Sequence, residues 1–565
     1  MYNTALRRLA GLVLGAWVLT RAVVAQTCAT ITPQMVERLK ADVYFLAADS
    51  LAGREAGTEG EALARDYISA QFEALGLKPM GDKGSYIQAF PFYAPVLVNP
   101  STQLHLRGEV LALGKDFYPL STSVNGRVQE APLVDVGFGI EAPELDYSDY
   151  TEGADYAGKV FVMNYSSPDG VHPHSKYLAY HDLEVRVRRA AIKGAAAVIL
   201  HNPDKRLPHP PADFTRITGR QIPVVFVQPG ADTLLRELEL LDYLDVQMEE
   251  QVRTGYNVAA YLDRGSEQTV VIGAHYDHLG MGGEGSRHTG GEAVHNGADD
   301  NASGTAALLE LARYFADYKD GGGYNLLFLA FSAEEKGLLG SKFFVNNSSL
   351  PFKHINYMVN MDMVGRLDRN KALVINGAGT SPRWEPLLKE IVCYGISPKT
   401  TASGVGPSDH TSFYLKDIPV LHFFTGTHSD YHKPEDDADR VNYEGLAEVT
   451  AYIATLVEAL DGEEKLAFTK TQDDSNQPRP RFSVTLGVMP DYTFQGTGMR
   501  IDAVSEGKPA QAAGIKGGDV LTQIGELPIR DMSSYMQALS MFQKGDKVKV
   551  ILLRDGKSKT VDVTF

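Results

Sequence analysis

Between residues 256 and 460, nearly continuous apolar runs alternate with helical stretches, and this alternation constrains the fold more than any other feature. The runs at 270–274, 324–331, 355–361 and 419–424 are short and bounded by turn residues, as buried strands are. Stretches at 302–318 and 442–460 carry helical patterning, the first opened by Ser303-Gly304. Strands that are apolar on both faces and separated by helices imply an α/β fold with a mostly parallel sheet between helices. In such sheets binding sites gather beyond the carboxyl ends of the strands.

Five short motifs stand in that region: His275-Tyr-Asp277, Asp299-Asp300, Glu334-Glu335, Asp362 and Tyr431-His432. His275 can ligate a metal while Asp277 holds its other ring N–H. Two adjacent acids repel, so burying Asp299 and Asp300 requires a cation nearby. Asp299 is expected to bridge two metals, with Asp300 capping the next helix or orienting the loop. Neighbouring side chains diverge, so Glu335 can ligate while Glu334 serves as general base. Asp362 supplies a further carboxylate and His432 a further imidazole, with His410 of Ser408-Asp409-His410 as the alternative to His432. Taken singly, each motif is as readily structural. Jointly they hold what two metal ions and a base require.

The phrases "GAHYDHLG", "NGADDNASG", "FSAEEKGLLGS", "NMDMVGR" and "HSDYHKPEDD", with "LAGREAGTEGEALARDYI" ahead of them, resemble the M28 family of zinc aminopeptidases. The resemblance spans about residues 33 to 460. It implies one zinc held by His275, Asp299 and Asp362, and a second held by Asp299, Glu335 and His432. Glu334 would take a proton from water, Tyr431 would donate to the oxyanion and Asp277 would support His275. The peptide between the paired acids would be cis. The implied substrates are peptides with a free N-terminus. A glutaminyl cyclase or a carboxypeptidase-like enzyme on the same fold, or a non-catalytic peptide-binding protein, are the alternatives.

The remaining chain divides by texture. Residues 1–25 read as a signal peptide: Arg7 and Arg8, an apolar run over 9–19, then Val23-Val24-Ala25. That run falls short of the roughly 20 residues a membrane span needs. An exported, soluble protein, periplasmic or extracellular, is therefore expected. Residues 26–124 and 251–460 are expected to form the peptidase domain that the resemblance implies. Residues 125–250 resemble an inserted, mainly-β protease-associated (PA) domain through "GKVFVMN", "RAAIKGAAAVILHN" and "IPVVFV", and such an insert would roof the site. Its histidines, His172, His174, His181, His201 and His209, are explained by solvated loops. Residues 461–480 read as a polar linker. Residues 481–565 resemble a PDZ domain, in which the loop at Leu486-Gly487-Val488 could receive a peptide C-terminus by strand addition. A net charge of −17 argues against nucleic acid. Cys28 and Cys393 can pair in an exported protein, but sequence leaves the pairing open.

Overall fold

The computed structural model describes residues 28–471, 484–490 and 498–565, less 172–174, 205–206, 208, 220, 236–238, 284, 319–322, 505–507, 526, 530–534, 536–537, 540–541, 543 and 555. The signal-peptide assignment, His172 and His174 lie outside the described residues.

The alternating region builds one mixed sheet. Its strands are β1 (Lys78–Pro79), β2 (Ile87–Val98), β3 (Met248–Leu262), β4 (Thr269–His275), β5 (Asn325–Phe331), β6 (Ile355–Met361), β7 (Ala372–Asn376), β8 (Ser397–Thr400) and β9 (Val420–Phe424). They lie in the order β1-β3-β5-β4-β6-β9-β7-β8, with β2 also on β3. The four central strands β5, β4, β6 and β9 are mutually parallel. The expected strands are thus the middle of the sheet.

Alternation along each strand assigns its two faces. Leu326, Phe328 and Ala330 of β5 join the core beneath α1 (Pro33–Leu46), α3 (Gly304–Asp317) and α6 (Tyr443–Leu460). Leu327, Leu329 and Phe331 pack on the other face, against α4 (Leu339–Asn347) and α5 (His410–Tyr414). All are buried, which is why these runs carry no polar stripe. Between α1 and α3 in the chain lies α2 (Glu59–Ala74), opened by Thr58, whose side chain accepts from the Glu61 amide.

The ribbon of β2 and β3 runs from this sheet to the insert. The insert's own sheet orders strands 109–110, 103–106, 240–246, 126–135, 160–164, 197–201, 224–227 and 117–119. The expected boundary at 125 is therefore corrected: residues 103–119 pair with strands of the insert, not with the mixed sheet. The expected linker also starts later. The Leu466 amide donates to Asn356, Thr469 to the Thr380 carbonyl and Thr471 to Tyr414, so residues 461–471 dock on the α/β domain.

Cys28 and Cys393 form a disulfide that ties the segment before α1 to the loop after the helix Trp384–Glu390. Among the described residues no helix is long and apolar enough to cross a membrane. The C-terminal domain is a small β domain with its own core, including Leu486, Ile501, Leu521 and Val550, and its strand Val488–Pro490 is a sheet edge.

Candidate metal centre

His275 ends β4, Asp362 follows β6, Glu334 and Glu335 follow β5, and Tyr431 and His432 lie in the loop after β9. The register of the parallel strands brings these ends together: Glu334, Glu335, Asp362, Tyr431 and His432 line one cavity of about 390 Å³ with Asp300, and the buried His275 reaches Asp300 and Asp362.

Asp300 sits at the centre. Its Oδ1 is 3.4 Å from His275 Nε2, and its Oδ2 is 3.2 Å from His432 Nε2. Asp362 Oδ1 is 3.4 Å from the same His275 nitrogen, and Glu335 Oε2 is 3.4 Å from the same His432 nitrogen. Two donor clusters share one carboxylate.

Asp299 does not take the bridging position expected of it. Its Oδ1 accepts from the Gly365 amide at 2.7 Å and from Ser303 Oγ at 3.0 Å, and its Oδ2 faces His428 Nε2 at 3.2 Å. The cause is backbone direction. Asp300 has an extended φ of −106° and ψ of 91°, and successive side chains on an extended chain point to opposite sides. The cis peptide is Asp300–Asn301, one bond later than expected.

Asp277 supports His275 by a different contact from the one expected. Its backbone carbonyl lies 3.2 Å from His275 Nδ1, whereas its nearer carboxylate oxygen is 3.7 Å away. That carboxylate instead accepts from the amides of Glu334 at 3.1 Å and Glu335 at 3.4 Å. Asp277 thereby ties the β4 end to the β5 loop. His410, the alternative ligand, lies outside both clusters, stacked on His422 with centroids 4.5 Å apart.

Several residues in the structure had no assigned role in the sequence reading. His278 Nδ1 stands 2.8 Å from Glu335 Oε1 and fixes that carboxylate from behind. A second possible grouping of His278, Asp300 and Glu335 is less apt for an ion, because this close contact already occupies the His278 nitrogen. Asp436 Oδ2 accepts from the amides of both Asp299 and Asp300, fixing the loop that carries the bridge. Arg54 is fully buried and donates to the carbonyls of Leu46, Tyr276, Asn296 and Gly297. Burial lowers its pKa to about 10, so it stays charged at neutral pH. The sequence signal was "LAGR" itself, an arginine inside an otherwise apolar turn. Gly53 beside it has φ +71°, and a Cβ there would stand 2.4 Å from the Gly280 carbonyl, so only glycine allows this approach.

The electrostatics match a cation site. Burial opposes the charge on His275, yet Asp362 and Glu334 hold it well above the ordinary imidazole range. His432 is likewise raised to about 9 by Asp300 and Glu335 against its burial. Asp300, although buried, is held well below the usual carboxylate range by His275 and His432. Burial lifts Glu334 well above the usual range, with Glu335 and Asp362 adding to the effect against the pull of His275. Burial also raises Tyr431, which keeps its phenol protonated and able to donate.

The donor set fits zinc. Nitrogen and carboxylate oxygen are its ligands, and tetrahedral ligands about 2.0–2.1 Å from the ion stand roughly 3.3 Å from one another. The four contacts around Asp300 measure 3.2–3.4 Å.

Two segments of the chain match known protein families. Residues 257–457 match the model of peptidase family M28, and residues 469–565 match the PDZ domain. Aminopeptidase YwaD of Bacillus subtilis is 26% identical over 386 residues, 65% of this chain and 76% of that protein. Leupeptin-inactivating enzyme 1 of Streptomyces exfoliatus is 31% identical over 190 residues, 33% of this chain and 39% of that one. Among solved structures, BSAP, a zinc aminopeptidase from Bacillus subtilis, is 24% identical with a TM-score of 0.47, covering 77% of this chain and 97% of its own. The chain therefore carries a peptidase family M28 domain over residues 257–457 and a PDZ domain over residues 469–565.

Proposed function

We propose that the chain is an exported di-zinc aminopeptidase, removing the first residue of peptides with a free N-terminus. The observation that carries the reading is Asp300: its two oxygens serve two separate imidazole–carboxylate clusters beside Glu334 in one cavity. His275, Asp300 and Asp362 would hold one ion, and Asp300, Glu335 and His432 the other. When bound, zinc supplies Lewis acidity toward the scissile carbonyl and lowers the pKa of water. Glu334 takes the proton of the attacking water and returns it to the leaving amine. Tyr431 donates to the oxygen on which negative charge develops. Asp277 holds His275 and the Glu334 loop in register, and the cavity carboxylates receive the substrate's α-ammonium. The PDZ edge strand Val488–Pro490 would take a peptide C-terminus by strand addition. The disulfide supports export into an oxidising compartment.

The test is metal analysis joined to kinetics. Native or reconstituted enzyme should hold two zinc ions per chain and cleave aminoacyl substrates. Glu334→Gln should keep both ions and lose about 10²–10⁴ in kcat. Wild-type turnover in that variant would remove Glu334 from the base role, and one ion per chain at saturation would remove the two-metal reading.

A further inference from the structure

The cavity holds a cation that metal binding and proton transfer do not use. Its acids, Asp300, Glu334, Glu335 and Asp362, account for the ligands, the base and the α-ammonium. Against them stands Arg287, the sole guanidinium or ammonium among the described lining residues.

Its placement is built. Arg287 lies on the glycine-rich loop between His275 and Asp300, and that loop is tied to the loop after β9 at two points. The Arg287 amide donates to the His432 carbonyl at 2.9 Å, and His432 Nδ1 stands 2.8 Å from the Gly285 carbonyl. The guanidinium lies over the Tyr431 ring, 4.6 Å from its centre. Tyr431 is assigned to the scissile carbonyl, and consecutive residues are spaced about 3.8 Å apart. The cation thus lines the cavity beside the residue assigned to the scissile carbonyl, within the span that one further substrate residue would cover. A guanidinium pairs with a carboxylate through two parallel hydrogen bonds, a geometry that a peptide carbonyl or amide cannot match. The wall is also contributed by the C-terminal domain, through Val488, whereas no described residue of the insert lines it.

We propose that Arg287 recognises the free C-terminal carboxylate of dipeptide substrates, so that the enzyme prefers dipeptides to longer chains. This rests on the aminopeptidase reading of the same cavity. A guanidinium–carboxylate pair formed on binding is worth about tenfold or more in kcat/KM.

The experiment uses the full-length, zinc-loaded enzyme and a panel of dipeptides with varied first residues. Each dipeptide is paired with its own C-terminal amide and with the tripeptide one alanine longer. The wild type should favour the acid over the amide and the tripeptide by about tenfold or more. Arg287→Gln should bring the acid-to-amide ratio near one, mainly by raising KM for the acid. Arg287→Lys should restore part of the preference, and Arg287→Glu should invert it. A wild-type ratio near one overturns the proposal. Equal losses on acid and amide in Arg287→Gln also overturn it, since Arg287 would then act only through Tyr431. Cleavage of amides and tripeptides as fast as dipeptides leaves the aminopeptidase reading standing and removes this one. Cleavage of none of them removes both.

Discussion

At the scale of single residues, Asp299 and Asp300 differ by one step of extended backbone, and that step separates a candidate ligand from a scaffold residue. Asp300→Asn should lower zinc content at both positions and reduce turnover at least about 10³-fold. Asp299→Asn should retain zinc at saturating metal and instead lose stability by about 1–3 kcal/mol, because the Gly365 amide and Ser303 hydroxyl lose their charged acceptor. Metal titration and thermal unfolding of the two variants check the assignment, and equal zinc loss in both would undo it. The sequence could present the pair but not choose between its members. Both are acids, both are buried, and only φ and ψ decide which one faces the cavity. His275, Asp362, Glu334, Glu335, Tyr431 and His432 were legible because each follows or ends a recognisable apolar strand. His278, three residues beyond His275, was hidden because its partner, Glu335, is 57 positions away.

At the scale of elements, the loop Asp49–Arg54 and helix α2 buttress the β4 end. Arg54 joins that end, the loop ahead of Asp300 and the end of α1 through four carbonyls, and a buried charge that loses its hydrogen bonds cannot be tolerated. Arg54→Met leaves those four carbonyls without their donor, and should destabilise by roughly 3–5 kcal/mol and weaken zinc binding, measured by denaturant titration and chelator competition. Glu61 on α2 accepts from Ser332 Oγ, Tyr276 Oη and the Gly57 amide. Burial lifts its pKa from 4.5 to about 7. The fold thus favours the protonated form. That contribution, about 3 kcal/mol, is complete below pH 4.5 and is lost as pH rises through 7. Raising pH from 5.5 to 8 should therefore lower the Tm of the wild type more than that of Glu61→Gln. Identical pH profiles would assign the sensitivity elsewhere. Helix and strand positions were readable because burial on two faces leaves a period in the sequence. The clamp was not, since carbonyl acceptors carry no residue identity.

At the scale of the whole molecule, the disulfide closes a separation of 365 residues, pinning the first described segment against the peptidase domain. Its removal in Cys28→Ser/Cys393→Ser should cost about 2–5 kcal/mol, read as a lower Tm that reductant reproduces in the wild type and not in the variant. The sequence by itself determined the α/β alternation, the motif order and the presence of an insert and a C-terminal domain. Each is a local pattern, readable from hydropathy period and neighbouring residue types. Only the tertiary structure decided that Asp300 rather than Asp299 is central, that strands 103–119 belong to the insert, that Cys28 meets Cys393 and that Val488 reaches the cavity lined by Asp300. Each of these depends on where distant segments meet or on one backbone turn, and contacts between residues far apart in the chain leave no periodic mark on it.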